Sequence, residues 1–356
     1  MAKLLELNQT LKREDLSDLL TVIDKRSTPF TSAVKRGSAP KNSLIEWPLD
    51  AHKDNLIKGA SFTAGYGNYT SKDGADVSAS DQENYDARES CQVYVQYARR
   101  HPAVSRLANI TSDVAGVGWK KEMARSISKA LVTHKRDIES VLCSSQDTLV
   151  ETSTANKNYQ TRGIGQYLAT SQSSNTGSLK VPSNFLTPST SAPAAKSSIQ
   201  EEDVRDVLNS IYDQSGEAGS YYGLCGTSMK KKISELTLLV PAARTNNIVA
   251  SNRDTGSRTL TAMVDVIESD FGTVSLHLST FLRQDARATG SGNYDATKGQ
   301  KTLFILNLSQ FELAFAEDTN VRELPDLGGG PRTLIESIFA LKSYSGGLDH
   351  GKLELS

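Results

Sequence analysis

The residue types that carry most protein chemistry are present, but their spacing forms none of the common reactive sites. A zinc hydrolase places two histidines one helical turn apart beside a carboxylate, and no H-E-x-x-H occurs. No G-x-S-x-G marks a nucleophilic serine, and no G-x-x-x-x-G-K-[ST] marks a phosphate-binding loop. The five histidines lie far apart, at His52, His101, His134, His277 and His350. We therefore predict no catalytic residue, no bound cofactor and no metal site.

The cysteines and the paired carboxylates have structural explanations. Cys91, Cys143 and Cys225 are odd in number and widely spaced, so they offer neither a disulfide framework nor a thiolate metal cluster. We expect buried thiols in a reducing compartment. The carboxylate pairs within residues 201–206 lie where a helix is predicted to begin, and the helix dipole favours negative charge there.

The charge balance argues against a dedicated nucleic-acid-binding protein. The chain of 356 residues has 40 Lys and Arg against 41 Asp and Glu, whereas nucleic-acid binders normally carry a basic excess. A local basic excess does occur on a predicted long helix, and Lys120, Lys121 and Arg125 belong to it. These side chains could face phosphates, although a solvated helix face is the simpler explanation.

Composition predicts a folded protein without a membrane span. Hydrophobic residues make up 37% and charged residues 23% of the chain, near ordinary globular usage. No apolar run approaches the roughly 18 residues of a transmembrane helix. The N-terminal sequence MAKLLELNQT lacks the apolar segment of a secretory signal, so we expect a cytoplasmic product. The length allows one elaborated domain or two to three lobes.

The N-terminal third predicts an arm, two paired strands and a long connection. Leucines recur at helical spacing up to Pro29, which interrupts the helix and leaves Phe30 as an anchor. Residues 42–50 have the pattern of a short strand, and residues 88–98 alternate with period two as its partner. The connection of roughly 40 residues is much longer than a hairpin turn and interleaves aromatic with small polar residues. Such a loop usually reaches another surface, although a mobile excursion is the alternative.

The rest of the chain predicts helices interleaved with strands. Residues 118–143 have the strongest amphipathic pattern, and a helix of that length would measure about 39 Å. A serine- and proline-rich stretch, 170–198, leads to capping-box spacing at Ser198–Glu201 and to a second helix that ends at Gly216. Predicted strands are YYGLCG, TLTAMVDVIES, FGTVSLHLS, TLFILNLSQFELAFA and TLIESIFALKSY. The predicted fold class is therefore α+β.

This order of elements resembles the major capsid proteins of tailed bacteriophages, which have the Hong-Kong-ninety-seven-type capsid fold. The segment HKRDIESVLC at 134–143, which closes the long helix, is the most specific piece. The stretches 170–198 and 245–257 look specific to this sequence. The other matching segments are DLLTVIDKRSTPFTSAVKRG ending at Gly37, LIEWPLD (44–50), TRGIGQYL (161–168), the helix from Glu201, DFGTVSLHLSTFL (270–282) and TLIESIFALKSYSGG (333–347).

The resemblance implies a self-assembling shell subunit and not an enzyme. Identical copies would form the hexamers and pentamers of an icosahedral head around double-stranded DNA, and each extended loop would lie over a neighbour. The implied divisions are an N-terminal arm (1–40), an extended β-hairpin loop or E-loop (41–105), a spine helix with the first part of a peripheral domain (106–200), a mainly axial domain (201–300) and a return to the peripheral domain (301–356). Candidate inter-subunit contacts are Phe30, Trp47, Phe62, Tyr66 and Tyr69, and candidate inner-surface basic residues are Lys120, Lys121 and Arg125.

The implied partners are other copies of the chain, a portal, a separate scaffolding protein, decoration proteins and packaged DNA, with no membrane. A separate scaffolding protein is expected because the arm begins within the first residues, which leaves no fused assembly domain. The implied location is the virion, after synthesis in the bacterial cytoplasm. Two alternatives stay open: the shell of a bacterial encapsulating compartment with the same fold, and a hydrolase with an unrecognised site. Neighbouring terminase and portal genes would favour the phage over the compartment.

Overall fold

The computed structural model of the chain describes residues 26–50, 88–111, 122–151, 159–171, 179–236, 264–282, 284–285, 294–295 and 299–356. The helices are α1 (Pro29–Ala33), α2 (Arg106–Thr111), α3 (Glu122–Leu142), α4 (Ile164–Tyr167), α5 (Glu201–Ser215) and α6 (Thr227–Leu236). The strands are β1 (Lys35–Arg36), β2 (Leu44–Leu49), β3 (Glu89–Tyr94), β4 (Gln96–Arg100), β5 (Gly219–Cys225), β6 (Val266–Ser269), β7 (Gly272–Leu278), β8 (Gln284–Asp285), β9 (Tyr294–Asp295), β10 (Thr302–Leu306), β11 (Phe311–Leu324), β12 (Arg332–Ser343) and β13 (Gly351–Glu354).

The long helix α3 is the spine of the subunit. Its buried side chains include Met123, Ile138 and Leu142, which recur at helical spacing on one side. Its 21 residues correspond to about 32 Å. The predicted long helix is confirmed from Glu122 to Leu142, and the part of the prediction before Glu122 lies outside the described residues.

The second long helix, α5, ends as predicted but begins with a different cap. Gly216 has a φ of 69°, the left-handed conformation that favours glycine after a helix. At the other end the backbone N–H of Gln200 donates to Asp203 Oδ2 at 2.8 Å. The predicted capping box at Ser198–Glu201 was therefore wrong by two residues, because the chain stays extended through Gln200.

The predicted pairing of the two N-terminal strands is confirmed. Strands β2 and β3 are antiparallel, with Leu44 opposite Tyr94, Trp47 opposite Cys91 and Leu49 opposite Glu89. In both strands buried side chains alternate with more exposed ones, because every second side chain points to the same face of a strand.

Most of the remaining strands in the described chain form two larger sheets, one of four strands and one of five. The first has the order β1-β11-β12-β4, and the second has the order β13-β10-β5-β7-β6. Strands β11 and β12 form a long antiparallel hairpin that runs from the pair Phe311 and Ser343 to the pair Leu324 and Arg332. In the second sheet β5 is parallel to β7 and antiparallel to β10. The mixture of helices with mixed sheets agrees with the predicted α+β class.

The chain changes sheet at two places where the sequence predicted continuous strands. The predicted strand 88–98 divides at Val95: β3 pairs with β2, whereas β4 pairs with β12. The predicted strand TLFILNLSQFELAFA divides at Asn307, whose side chain accepts a hydrogen bond from Ser309 N in a short 3-10 turn. Apolar alternation continues through both breaks, so it could not reveal that the hydrogen-bonding partner changes.

Two hydrophobic clusters lie beneath these sheets. The larger cluster joins Phe30, the β2–β3 pair, the C-terminal half of α3 and the first sheet. The smaller cluster lies between α5, α6 and the second sheet. Of the helices in the described ranges, none has the length and apolar character needed to span a bilayer.

Candidate assembly surfaces

The start of the described chain is fastened to the spine helix. Phe30 is fully buried, and its ring meets that of Phe311 edge to face at 6.0 Å between centroids. The buried carboxylate of Glu139 accepts hydrogen bonds from Phe30 N at 2.9 Å and Thr31 N at 2.6 Å, and also from Thr31 Oγ1. Phe30 therefore packs in the core of its own subunit. The prediction that it contacts a neighbouring subunit is replaced by this intrasubunit role.

The base of the β2–β3 hairpin is fixed in the same core. Trp47, Leu49, Cys91 and Val93 are all buried in the larger cluster. The candidate inter-subunit contact Trp47 thus faces its own subunit, because it lies on the inward face of β2. The aromatic candidates Phe62, Tyr66 and Tyr69 lie outside the described residues.

A buried arginine ties the hairpin base to the end of the spine helix. Arg162 has no exposed side-chain surface, and its Nε donates to Asp147 Oδ1 at 3.1 Å. Its Nη1 lies 3.7 Å from Cys91 Sγ, and its Nη2 donates to the Leu179 carbonyl. The guanidinium also lies over the Tyr167 ring, 5.2 Å from the centroid. Sequence reasoning missed this residue, since an isolated arginine carries no signal that it is buried.

An exposed apolar surface lies at the end of the β11–β12 hairpin, and we call it the apolar tip. It consists of Leu107, Ile110 and Leu327, which are 73%, 72% and 80% exposed. Leu107 and Ile110 are three residues apart, so they share one side of α2. They are the most exposed of the large hydrophobic residues in the described part of the chain. No local pattern indicated this surface, because PDLGGGP predicted only an irregular connection.

Two features fix the conformation of the connection that carries Leu327. Gly330 has a φ of 122°, and a Cβ there would lie 2.3 Å from the Val104 carbonyl oxygen, so only glycine fits. Asp326 accepts hydrogen bonds from Gly328 N at 2.8 Å and Gly330 N at 3.2 Å. These bonds to the ionised carboxylate lower the pKa of Asp326. The apolar tip is therefore a built surface and not a loose loop.

The candidate basic residues are only partly described. Arg125 Nη1 donates to Glu122 Oε1 at 2.9 Å, and both side chains are largely covered. This pairing reduces the positive charge that Arg125 can offer to a phosphate. Lys120 and Lys121 lie outside the described residues.

The reactive side chains in the described part of the chain lie in packed surroundings. Cys91, Cys143 and Cys225 are buried free thiols, and burial raises the pKa of each. Burial also lowers the pKa of His134, and it lowers the pKa of His350 to about 3. Among the described residues, no group of three His, Cys, Asp or Glu side chains could hold a metal ion.

One open cleft of about 780 Å³ lies between the hairpin base, the end of α5 and the turn after β12. Asp50, Glu217 and Asp349 contribute carboxylates to its lining. Burial raises the pKa of Asp349. Neither a histidine nor a cysteine is part of this lining, although the lining residue Ser345 has its Oγ 3.4 Å from Nε2 of the buried His350.

Comparison with known proteins gives one family and one fold. The family model described as SU10 major capsid protein matches residues 5–345. The chain is similar to the capsid protein of cyanophage A-1(L), with 11% identity, a TM-score of 0.62 and 99% of each chain covered. It is also similar to that of cyanophage P-SCSP1u, with 9% identity, a TM-score of 0.56 and coverage of 99% of this chain and 96% of that one.

A third similar structure is the capsid of Myoviridae phage XM1, with 9% identity, a TM-score of 0.52 and coverage of 96% of this chain and 97% of that one. At these identities the likeness is one of fold, and it confirms the predicted phage capsid fold. No curated protein sequence matches the chain significantly.

Proposed function

Since this chain belongs to the SU10 major capsid protein family, and is thus a structural protein of the virion and not an enzyme, we propose that its copies form the hexamers and pentamers of a tailed-phage head. The head would be an icosahedral shell that encloses double-stranded DNA. A closed shell needs surfaces that are exposed to water in the single subunit and that fit against the surface of another copy. The apolar tip is the observation that carries this proposal.

The apolar tip has the features of a contact between copies. Three large apolar side chains are exposed on two segments, α2 and the β11–β12 connection, which meet where Gly330 packs against Val104. Groups of exposed apolar side chains mark protein interaction sites more often than single exposed hydrophobic residues do. Burying one leucine-sized side chain contributes about 1.5 to 3 kcal/mol. Repetition over many copies makes that contribution decisive for shell formation.

The hairpin base supports a second contact. Because Trp47 and Cys91 fix β2 and β3 in the core, the residues between them start from a rigid platform. We propose that residues 51–87 lie over a neighbouring subunit and that Phe62, Tyr66 and Tyr69 are their anchors. Aromatic side chains commonly dominate the binding free energy of such interfaces.

The divisions implied by the resemblance are retained as part of the proposal. They are the arm (1–40), the E-loop (41–105), the spine helix with the first part of the peripheral domain (106–200), the mainly axial domain (201–300) and the return to the peripheral domain (301–356). In the smaller cluster Leu303, Ile305 and Leu353 pack with residues of α5 and β5, so part of residues 301–356 belongs with the segment 201–300.

The test of the proposal replaces the apolar tip with charge. The variant Leu107→Asp, Ile110→Asp, Leu327→Asp should keep its unfolding free energy within about 0.5 kcal/mol, since all three positions are exposed. It should fail to form shells under conditions in which the unchanged chain forms them, measured by sedimentation and electron microscopy.

The matched control is Val266→Asp, which places an acid at a half-exposed apolar position on the edge of the other sheet. We expect this control to form shells. Normal shells from the triple variant, or equal loss in both, would contradict the role of the apolar tip.

We propose that Lys120 and Lys121 face the packaged DNA, with Arg125 contributing less because of its pair with Glu122. Changing Lys120 and Lys121 to glutamine should lower genome retention, because each removes one phosphate contact. The matched control changes the exposed Lys231 and Lys232 of α6 to glutamine. Unaltered retention in the first variant would refute the assignment.

We further propose a portal, a separate scaffolding protein and decoration proteins as partners, and synthesis in the bacterial cytoplasm. The resemblance to tailed-phage capsid proteins supports these partners. Expression of the chain alone tests the scaffolding partner: aberrant or open assemblies are expected. Abundant and uniform closed shells without a helper would count against it.

A further inference from the structure

A groove runs between the first described residues and the spine helix. It has a volume of about 670 Å³, and its floor includes Pro29, Leu131 and Val132. Arg136 Nη2 donates to the Arg26 carbonyl at 3.1 Å, which fixes the place where the chain enters the groove. Val132, an apolar residue on the longest described helix, is 52% exposed to water.

The uncovered strip continues along the spine helix. Ala124, Ser128 and Leu131 recur every three or four positions and are all partly exposed, so the strip combines two apolar side chains with one small polar side chain. Further along the same side of α3, Ile138 and Leu142 pack into the core. The helix therefore buries the last part of this side and leaves the earlier part, with Leu131 and the neighbouring Val132, open to water.

We propose that residues 11–25 of the same chain cover this strip in the unassembled subunit. The first argument is continuity, because this segment ends where the described chain begins, at the rim of the groove. The second argument is spacing: Leu16, Leu19, Leu20 and Ile23 are positioned to form one apolar side of a helix.

Length and charge point to the same occupant. A helix over residues 11–25 would measure about 22 Å, the same as the part of α3 from Glu122 to Arg136. Residues 14–24 carry Glu14, Asp15, Asp18 and Asp24 and no basic residue, whereas Lys12, Arg13 and Lys25 lie at the two ends of the segment. The exposed Lys129 lies beside the strip, and the exposed Lys135 lies at its end. Opposite charges beside an apolar contact fix which way two helices lie together.

This inference goes beyond the proposed shell function, because it concerns the subunit before assembly. Docking in this way keeps the apolar side chains of the segment and of the strip out of water until neighbouring copies are available. Two other occupants are outcomes of the test: the same segment of a second copy, and a separate acidic amphipathic protein. The experiment distinguishes all three.

The test is a disulfide between the arm and the strip in the full-length, unassembled chain. Leu20→Cys and Val132→Cys are combined, and the native cysteines do not compete because all three are buried. Mild oxidation should give an intramolecular disulfide that leaves the chain a monomer. The control pairs Leu20→Cys with Glu202→Cys, an exposed position on α5. We expect the first pair to react about tenfold faster than the control.

Each other outcome overturns the proposal. A disulfide-linked dimer would mean that the strip takes the arm of a second copy. Disulfide formation no faster than in the control would mean that residues 11–25 do not cover the strip and that a separate partner does. Neither result bears on the apolar tip, so this proposal and the shell function fail separately.

A charge exchange gives a second measurement. Asp24→Lys and Lys135→Glu should each lower the rate of the intramolecular reaction about twofold to fivefold. The two changes together should restore it, which a merely disruptive substitution would not do. Absence of recovery in the double variant at low salt would overturn the placement of Asp24 beside Lys135.

Discussion

Replacement of Glu139 by alanine should release residues 26–34 from the spine helix. The Glu139 carboxylate is fully buried, and it accepts hydrogen bonds from Phe30 N, Thr31 N and Thr31 Oγ1. These donors lie at the start of α1, where backbone N–H groups have no partner within the helix. Alanine would leave them without an acceptor in the core.

The expected loss of stability follows from the number of donors. A buried donor that loses its acceptor costs about 1 to 3 kcal/mol, and more when the acceptor is charged. Two backbone donors and one hydroxyl correspond to about 3 to 9 kcal/mol on this scale. Because both Thr31 donors are only partly buried, we expect a loss at the lower end, about 3 to 5 kcal/mol, close to the value for breaking a buried charge interaction. Glu139→Gln keeps one acceptor oxygen and should lose about half as much.

Two assays on the unassembled subunit measure the effect. Urea unfolding gives the change in free energy, and limited trypsin digestion at Arg26, Lys35 and Arg36 reports the release of the segment. The control is Glu202→Ala, an exposed glutamate in the first turn of α5, with an expected loss of about 0.5 kcal/mol. A loss below about 1 kcal/mol for Glu139→Ala, with digestion as slow as in the control, would refute the reasoning.

Three further changes have defined outcomes. Burial lowers the pKa of His350 to about 3, so on acidification this histidine binds a proton in the unfolded chain before it does so in the folded chain. The free energy of unfolding should therefore fall as the pH decreases below about 6.5. His350→Gln should make this fall shallower in urea titrations at several pH values. Arg162→Met should lower the free energy of unfolding by about 3 to 5 kcal/mol in urea. Adding Asp147→Asn to that variant should recover part of the loss. Additive losses from the two changes would argue against coupling between Arg162 and Asp147. Gly330→Ala should reduce shell yield by displacing the apolar tip from Val104, and normal yield would show that the position is not needed.

Local sequence signals predicted the elements that depend on local rules. The amphipathic spacing predicted α3, and Gly216 predicted the end of α5, because both depend on residues within a few positions of each other. The alternation around Trp47 and Cys91 predicted an antiparallel pair in the same way. These predictions hold because no contact with a distant part of the chain changes the locally preferred structure.

The rest depends on contacts between residues far apart in the chain. Phe30 was predicted as an inter-subunit contact, but Glu139, 109 positions later, draws its backbone into the core. The change of sheet at Val95 depends on where β12 lies, which no pattern near Val95 reveals. Arg162 is buried because partners from three separate segments surround it. The apolar tip required the folded hairpin before its exposure could be recognised.

Electron cryo-microscopy of particles assembled from the chain tests the central claim most directly. We predict closed shells in which Leu107, Ile110 and Leu327 lie against another copy of the chain. Shells that leave these three side chains in solvent, or a chain that stays monomeric at every concentration and with every assembly partner tried, would contradict the account.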